Sequence, residues 1–371
     1  MVKILELFSG YGTASFALKR IGMDYELVGY SDIDKYANQC FKQNHCPDDK
    51  DDKLRLGDVT KINPEEIEDF DLLTGGFPCQ AFSNAGKMKG ELDPRGTLFN
   101  EIIRIAEVKQ PKYMLLENVK GFTFKKFKDT FDKVLSELDR IGYIVYWKVL
   151  NSKDFGTPQK RERIWFVCFR KDVEHNFSFP EEKELTIFLK DILEDEVDEK
   201  YYLKEDVANR IFPNQKTSYC IDANYHKGIS VDNFLEKKKR QLIQVDVSQI
   251  RREGKPRIYE GISKTLNTAQ GGGHTPLIAT YIHSMDSFRG YENTSPAIKS
   301  SEGSGNQIII NTKRIRKLTP KECFRLMGFL NDEINLEGLS DTQRYKLAGN
   351  GQDVNVVSIL LNLILKTEKY L

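Results

Sequence analysis

The stretch that decides the fold is residues 2–20, which read VKILELFSGYGTASFALKR. Its apolar start predicts a β-strand over 4–8, and the residues beyond the glycines predict a helix over 13–20. Between them lies a loop that contains Gly10 and Gly12. Glycines in this position let backbone N–H groups approach a ligand at the N-terminus of the helix. The stretch therefore predicts a ligand-binding loop at the edge of an α/β sheet.

An acidic residue follows at the spacing of a ribose-binding group. Asp32 lies about 20 residues beyond Gly12, at the end of a second predicted strand, where a carboxylate can accept hydrogen bonds from ribose hydroxyls. Ser15 stands where the dinucleotide-binding pattern GxGxxG has its third glycine. Taken alone, the loop fits a nicotinamide enzyme, and it fits a tight structural turn equally well.

Short apolar runs alternate with helical patterns through roughly the first 170 residues. This alternation is typical of a mostly parallel sheet covered by helices, and it places the chain in the α/β class. The last two strands follow each other closely, which indicates an antiparallel edge. The predicted strands are 4–8, 26–30, 72–74, 113–117, 144–150 and 164–169, with a further strand ending at Asp58; the predicted helices are 13–20, 35–43, 98–108 and 127–141.

Composition and charge are those of an ordinary soluble protein. The chain has 371 residues, of which 39% are hydrophobic and 30% charged, and its net charge is +1 at pH 7. No apolar run approaches the ~20 residues that span a bilayer, and the N-terminal strand does not resemble a signal peptide. The cysteines form no CxxC pair. We therefore expect a reduced, cytoplasmic protein without a structural metal.

The pattern changes beyond residue 180. An acidic run at 181–199 is followed by basic runs at 237–257 and 313–325, so a nearly neutral chain can still present a basic surface to phosphates. Residues 257–263 (RIYEGIS) are echoed by residues 289–295 (RGYENTS). Helical patterns then return, with capping boxes that begin at Thr319 and Ser340. These changes predict one domain built from residues 1–180 and 341–371, and a second, smaller one at 181–340.

Side chains with useful chemistry lie at the ends of predicted strands. Cys79 lies in the bent loop Gly-Gly-Phe-Pro-Cys-Gln at 75–80, which predicts a displayed thiol rather than a packed one. Glu117 ends a buried strand, where a carboxyl is suited to donate a proton. Arg161 and Arg163 precede the strand 164–169 on one side of it, where they can brace a carboxylate, a phosphate or a carbonyl oxygen. Considered singly, each also fits an ordinary turn, cap or surface residue.

The order of these motifs resembles that of the DNA (cytosine-5) methyltransferases. A glycine loop, Pro-Cys-Gln at 78–80, Glu-Asn-Val at 117–119, Gln-x-Arg-x-Arg at 159–163, a variable region and Gly-Asn at 349–350 follow one another. The resemblance implies a Rossmann-like, S-adenosylmethionine-dependent methyltransferase domain and an irregular target-recognition domain at 181–340. It implies that Cys79 attacks carbon 6 of a flipped cytosine and that Glu117 supplies a proton to the ring. Arg163 would hold the ring carbonyl, and Arg161 would help to position Glu117 and the base.

The resemblance also implies where both ligands bind. S-adenosylmethionine would lie over the glycine loop, with Asp32 on its ribose and Asp58 on its adenine amine, and would leave as S-adenosylhomocysteine. Many relatives carry an aromatic residue where this chain has Ile33, so we expect a weaker contact with adenine here. The implied cofactor-binding residues are Phe8, Gly10, Tyr11, Gly12, Asp32, Ile33, Asp58, Val59, Pro78, Leu98 and Asn350. The implied DNA-binding residues are Gln80, Ser83, Arg95, Arg251, Arg252, Thr265 and Leu266.

The same resemblance implies a monomer that acts on double-stranded DNA in a bacterial or phage-infected cell. A cognate restriction endonuclease would be a functional partner rather than a physical one. Two alternatives stay open: an RNA cytosine methyltransferase on the same scaffold, and a DNA-binding relative without activity. The intact set of Cys79, Glu117, Arg161 and Arg163 argues against the inactive relative. A nicotinamide dehydrogenase would have no role for Cys79 or Glu117.

Overall fold

The computed structural model describes residues 1–77, 98–202, 242–246, 313–330 and 333–366. Side chains are described in these ranges except at residues 190, 242–246 and 313–315. The loop that carries Cys79, the related segments at 257–263 and 289–295, and most of the predicted second domain lie outside the described residues. Most of the described residues thus belong to the first 200 residues and to the C-terminal part of the chain.

One mixed, mostly parallel sheet forms the centre of the described structure. Its strands are β1 (Val2–Leu7), β2 (Tyr25–Ser31), β3 (Leu72–Gly76), β4 (Tyr113–Val119), β5 (Tyr143–Asn151) and β6 (Glu162–Arg170). They lie in the order β2-β1-β3-β4-β6-β5. Strands β1 to β4 pair in parallel, while β6 runs antiparallel to both β4 and β5. The predicted α/β fold with an antiparallel edge is confirmed. A second, two-stranded sheet pairs β7 (Leu242–Asp246) with β8 (Lys313–Lys317).

Helices cover both faces of the main sheet. They are α1 (Thr13–Arg20), α2 (Lys35–His45), α3 (Leu98–Lys109), α4 (Lys128–Arg140), α5 (Pro320–Arg325), α6 (Asp341–Asn350) and α7 (Val354–Lys366). Successive strand residues such as Leu115 and Leu116 belong to two different apolar clusters, one with α1 and α7 and the other with α3 and α4. Strands buried on both faces explain the continuous apolar runs of the sequence. Among the described helices, none has the length and apolar composition needed to cross a bilayer.

The residues that begin the helices explain where they start. Thr319 and Glu322 form the predicted capping box of α5, and Ser340 and Gln343 form that of α6. Helix α7 follows α6 after a short turn. Its first turn is capped by the buried carboxylate of Asp353, which accepts hydrogen bonds from the next backbone amides.

The predicted strand ending at Asp58 is wrong. Residues 53–58 form only an isolated bridge, between Tyr30 and Arg55. The carboxylate of Asp58 instead accepts a hydrogen bond from the amide of Thr60, at 3.0 Å, and so caps the short 3₁₀ helix Val59–Lys61. A local side-chain cap competes with strand pairing in segments of this kind.

The C-terminal segment shares its core with the first helix. The rings of Phe324 and Phe329 pack edge-on against Tyr11, with centroid separations of 5.6 and 5.5 Å. Helices α1 and α7 also pack against each other. The apolar cluster thus continues across residue 341, and the division of the chain into two domains stays a prediction.

A fully buried ion pair lies where the segment that ends at residue 202 meets the segment that resumes at 313. Arg316 is 1% exposed and Glu322 is 0% exposed, and their side chains form two hydrogen bonds of 2.7 Å. The same carboxylate accepts hydrogen bonds from the backbone amides of Thr319 and Glu194, each at 2.8 Å. Glu322 therefore holds together the chain on both sides of residues 203–312.

We predict that Arg316→Met lowers the free energy of unfolding by about 3–5 kcal/mol, because it leaves the Glu322 carboxylate buried without its cation. Urea unfolding followed by circular dichroism measures the change. Lys321→Gln is the control, since Lys321 lies next to Glu322 in α5 but is 46% exposed. The effect of this control on the free energy of unfolding should stay within about 0.5 kcal/mol. A loss below about 1 kcal/mol in Arg316→Met would contradict the assigned role.

Candidate active site

A cavity of about 730 Å³ opens at the carboxyl ends of the parallel strands. In open α/β sheets, ligands bind at this edge because the loops that follow neighbouring strands converge there. The structure brings most of the predicted catalytic and cofactor-binding residues into the lining of this one cavity. They are Phe8, Gly10, Asp32, Ile33, Asp58, Val59, Leu98, Glu117, Arg161, Arg163 and Asn350.

The glycine loop presents its backbone to the cavity. The amide of Gly10 donates a hydrogen bond to Asp32 Oδ2 at 3.0 Å, which joins the loops after β1 and β2. Gly10 has φ +56°, and the space in which its Cβ would lie contains no atom within 4 Å. Phe8 also has a positive φ, of 51°, which is uncommon for a non-glycine residue and typical of functional loops. The loop therefore leaves room for a ligand against its backbone.

His45 supports this loop from behind. A Cβ on Gly12 would lie 2.4 Å from His45 Nε2, so only glycine fits there, with φ +83°. His45 Nε2 lies 3.0 Å from the carbonyl oxygen of Tyr11. Because a carbonyl only accepts, Nε2 carries the proton. Burial lowers the pKa of His45 to about 3, so the ring stays neutral.

Tyr11 lies in the core rather than in the cavity lining. Its side chain is fully buried, and its hydroxyl donates a hydrogen bond to the carbonyl oxygen of Gln352. The ring packs against α5 and the turn after it. Tyr11 thus fastens the glycine loop to the C-terminal segment that carries Asn350.

The side chain of Glu6 holds the first turn of α1 in place. Helix α1 has no side-chain cap at Gly12. Instead the buried carboxylate of Glu6, on β1, accepts hydrogen bonds from the amide of Ser15, at 3.0 Å, and from the Ser15 hydroxyl. Burial raises the pKa of Glu6 to about 7, although the hydrogen bonds from Ser15 and the Ala14 amide offset part of the effect. Ser15, which stands where the third glycine is expected, is therefore a partner of a buried acid.

Asp32 and its neighbours form one side of the cavity. Asp32 Oδ1 accepts the amide of Asp34 at 2.8 Å, and burial raises the pKa of the Asp32 carboxyl above its usual range. Asp34 caps α2 and pairs with Lys346 of α6. This ion pair joins two sides of the cavity, because Asp34 and Lys346 both line it. Ile33 is 83% exposed between these groups, so its apolar side chain is available to a ligand.

The acidic group at the end of β4 is paired with a cation from β6. Glu117 Oε1 lies 2.8 Å from Arg163 Nε, and both side chains are largely buried. Val119 lies opposite Arg163 in the β4–β6 ladder, so the pair joins diagonal neighbours on one face of the sheet. A Cβ at Gly76 would lie 3.1 Å from Glu117 Oε2. The glycine at the end of β3 therefore leaves room for this carboxylate.

Arg161 fixes the C-terminal end of α6. Its guanidinium donates hydrogen bonds to the carbonyl oxygens of Gly349, at 3.3 Å, and Gly351, at 2.6 Å. A cation is favoured at these carbonyls because the last turn of a helix leaves them without helical partners. Arg161 also lines the cavity. It thereby positions Asn350, which lies between the two glycines.

Comparison with known proteins shows what these elements belong to. The family model described as C-5 cytosine-specific DNA methylase matches residues 2–366. The chain belongs to this family. It is 30% identical to the orphan methyltransferase M.SPRI of Bacillus phage SPR, over 99% of this chain and 98% of that protein. It is 33% identical to the type II methyltransferase M.HhaI of Haemophilus parahaemolyticus, over 97% of this chain and 93% of that protein.

Solved structures agree on the fold. The S. pombe Dnmt2 methyltransferase superposes with a TM-score of 0.63 at 21% identity, over 99% of both chains. The Entamoeba histolytica methyltransferase EhMeth gives 0.65 at 19% identity, over 99% of this chain and 98% of that one. The predicted α/β methyltransferase fold is thus confirmed, and the chain is a DNA cytosine-5 methyltransferase.

The cavity of this C-5 cytosine methylase fits the methyl donor that its family implies, S-adenosylmethionine. Gly10 offers open space against the backbone, and the Asp32 carboxylate lies beside it. Ile33 supplies an exposed apolar surface, and Asp58 lies in the same lining. Hydrogen bonds from Thr60 lower the pKa of Asp58, which keeps it an ionised acceptor for an amine. These residues would hold the ribose and adenine of the donor.

Some functional residues of the methylase were not expected from the sequence, and some expected ones cannot be placed. Glu6, Gly76 and Lys346 act through contacts with residues that are distant in the chain, so their roles cannot be seen in the local sequence. The glycine pair at 75–76 was the one local sign of a close contact. Tyr11 and Gly12 support the glycine loop without lining the cavity. Cys79, Pro78, Gln80, Ser83, Arg95, Arg251, Arg252, Thr265 and Leu266 lie outside the described residues.

We predict that Glu6→Gln removes a pH dependence from the stability of the methylase. The folded-state pKa of Glu6, about 7, lies above its ordinary value of 4.5. The protonated form of Glu6 is therefore favoured in the folded protein. Its contribution to the free energy of unfolding is largest below pH 4.5 and is lost as the pH rises through 7. Relative to wild type, the variant should gain on the order of 3 kcal/mol between pH 4.5 and 8.

Urea unfolding of both proteins at intervals between pH 4.5 and 8 tests this prediction. Glu68→Gln serves as the control, because the Glu68 side chain is 68% exposed on the surface. It should run parallel to wild type across the range. Parallel curves for wild type and Glu6→Gln would show that Glu6 does not titrate differently in the folded protein.

Proposed function

We propose that this chain methylates carbon 5 of a flipped cytosine within a specific sequence of double-stranded DNA, through a covalent adduct with Cys79. The observation that carries the proposal is the Glu117–Arg163 pair, which lines the same cavity as Asp32 and Gly10. The pair that would bind the base therefore lies in the same cavity as the loop and the carboxylate that would bind the methyl donor. Family membership supports cytosine in DNA as the substrate.

Methylation of carbon 5 requires a nucleophile that adds to the cytosine ring and an acid that protonates it. Carbon 5 of cytosine is a weak nucleophile until a thiolate adds to carbon 6. In the proposed sequence, the Cys79 thiolate forms a bond to carbon 6 while Glu117 supplies a proton to ring nitrogen 3. Carbon 5 then takes the methyl group, for which the donor supplies an electrophilic sulfonium centre. Loss of the carbon 5 proton to water expels the thiolate, and return of the nitrogen 3 proton to Glu117 restores the neutral ring.

The arginines hold the base and the acid. A guanidinium has five N–H donors in a fixed plane, so Arg163 can keep Glu117 on Nε while another N–H binds the ring carbonyl oxygen. Arg161 acts through the turn at 349–351, where it holds Asn350 in the cavity lining. The target base must leave the duplex, because carbon 6 is out of reach in a stacked helix.

The remaining assignments concern the context of the reaction. We propose that residues 181–340 recognise the target sequence, that the enzyme acts as a monomer in the cytoplasm, and that it needs no metal. The donor would leave as S-adenosylhomocysteine. A restriction endonuclease of the same specificity would be its functional partner. Bisulfite mapping of DNA from cells that express the enzyme would identify the methylated sequence.

We predict that Cys79→Ser abolishes methyl transfer, because a serine hydroxyl is a far weaker nucleophile than a thiolate. The assay offers labelled S-adenosylmethionine with unmodified duplex DNA or with transfer RNA. Wild type should label DNA, and Cys79→Ser should label neither. Cys168→Ser is the control, since Cys168 is buried in β6 and should not take part. Labelling of RNA alone would overturn the choice of substrate, and equal labelling by Cys79→Ser would overturn the mechanism.

DNA that carries 5-fluorocytosine tests the adduct directly. Fluorine at carbon 5 cannot leave as a proton does, so the bond between Cys79 and carbon 6 should persist. Wild type should give a denaturation-resistant complex with this DNA, and Cys79→Ser should give none. Peptide mapping of the complex should place the cross-link at Cys79.

We also predict that Ile33→Trp binds S-adenosylmethionine more tightly. Ile33 is exposed in the cavity lining beside Asp32, and a tryptophan ring there could stack on adenine. An aromatic contact of about 0.5–1.5 kcal/mol corresponds to a roughly 2- to 12-fold lower dissociation constant. Isothermal titration calorimetry measures it. Ile144→Trp is the control, because Ile144 is also exposed but lies on β5, outside the cavity lining; weaker binding by Ile33→Trp would contradict the assignment.

A further inference from the structure

A run of lysines follows the strand that carries Glu117. Residues 120–128 read KGFTFKKFK and contain no acidic residue; we call them the lysine segment. Its first residue, Lys120, directly follows β4 at the carboxyl edge of the sheet. Because Val119 lines the cavity, the lysine segment begins at the rim of the cavity.

Buried aromatic side chains fix the lysine segment to the core. Phe122 is buried and packs against Phe77 and Phe166, with centroid separations of 6.1 and 6.3 Å. Phe127 is buried as well. The backbone between them forms two short 3₁₀ helices, Lys120–Thr123 and Lys125–Phe127. The exposed side chains are therefore held at a fixed position relative to Glu117.

Positive charge dominates the exposed face of this segment. Lys125, Lys126 and Lys128 are exposed, and Lys120 is partly exposed. Acids of the described chain pair with the segment at both ends: Glu162 with Lys120, at 2.8 Å, and Asp132 with Lys128. Asp129 is the other acid nearby, in the first turn of α4. The lysines outnumber these acids.

The strand ladder extends the basic face towards the catalytic arginines. The β4–β6 register ends at Val119 opposite Arg163, so Lys120 follows beside Glu162. Lys160, two residues before β6, is exposed on the continuation of the same edge. Phe124, between the two 3₁₀ helices, is 39% exposed and adds an apolar contact to this face. Exposed lysines grouped on one face are the electrostatic footprint of a surface that binds nucleic-acid phosphates.

We propose that the lysine segment binds phosphates of duplex DNA without regard to sequence and holds the duplex over the cavity. The proposal rests on the proposed function, because DNA is the substrate there, and it adds a binding surface outside the predicted recognition region at 181–340. Contacts to phosphates position a protein on DNA, while contacts to bases select the sequence. The lysine segment accordingly sets affinity, and the recognition region sets specificity.

The double variant Lys125→Gln/Lys126→Gln tests this assignment. Binding of a fluorescent duplex is measured by anisotropy between 50 and 300 mM salt, on the full chain with S-adenosylhomocysteine present. Each phosphate contact contributes about 0.9 to the slope of log K against log salt. The slope should therefore fall by up to about 1.8, and the dissociation constant should rise about eightfold per lysine at 0.1 M salt. S-adenosylhomocysteine binding, measured separately by calorimetry, should stay unchanged, which shows that the variant is folded.

Two control variants separate charge from general effects of mutation. Lys125→Arg/Lys126→Arg keeps the charge and should keep the wild-type slope. Lys171→Gln removes an exposed lysine that pairs with Asp139 at the opposite edge of the sheet, and it should leave DNA binding as it is. An unchanged slope in the glutamine double variant would overturn the proposal. So would weaker binding of RNA with unaltered binding of DNA.

The proposed function can fail independently of this surface. If wild type binds duplex DNA but transfers no label to it, the proposed reaction is wrong while the salt slopes still decide the role of the lysines. If wild type labels DNA and the glutamine double variant binds it with the wild-type slope, only the lysine segment is wrongly assigned. The two measurements therefore use the same protein but give separate answers.

Discussion

A buried guanidinium, that of Arg161, connects the parts of the chain from which the cavity is built. It lies just before β6, and its hydrogen bonds reach the carbonyl oxygens of Gly349 and Gly351. The turn so held carries Asn350 into the cavity lining and presents the Gln352 carbonyl to Tyr11. Without this cation, the carbonyls at the end of α6 would be buried without a charged donor, at a cost of several kcal/mol. Assembly of this side of the cavity thus depends on an arginine two residues before Arg163, the partner of Glu117.

A buried ion pair has a corresponding role at α5. The Glu322 carboxylate binds both the Arg316 guanidinium and the Glu194 amide, and so it joins the chain before residue 203 to the chain after residue 312. An ion pair of this kind adds little to stability relative to apolar residues, but it has strict geometric requirements. We infer that its geometry serves orientation: the chain on both sides of residues 203–312 is fixed to α5, and α5 packs on the glycine loop through Phe324. The glycine loop and the two ends of the chain around residues 203–312 therefore share one support.

Much of the fold could be predicted because its signals are local. Apolar runs located the strands to within a few residues, and the capping boxes at Thr319 and Ser340 located two helix starts. The strand predicted to end at Asp58 was wrong because a short hydrophobic run before an aspartate predicts a strand and a capped turn equally well. The support given by Glu6 to α1 could not be predicted, since it depends on how the strand and the helix pack. For the same reason, the sequence placed Tyr11 with the cofactor, although its ring belongs to the core.

The pairing of Glu117 with Arg163 bears on how the site can accept a base. Among the described residues, this acid and this cation are held at 2.8 Å in a largely buried position. A charged pair in such a place is stable only while each partner retains the other or gains an equivalent one. Cytosine offers an exocyclic amine that can donate to the carboxylate and a ring carbonyl oxygen that can accept from the guanidinium. A base that lacks this arrangement would leave one charge buried without a partner, so we infer that the pair itself discriminates between bases.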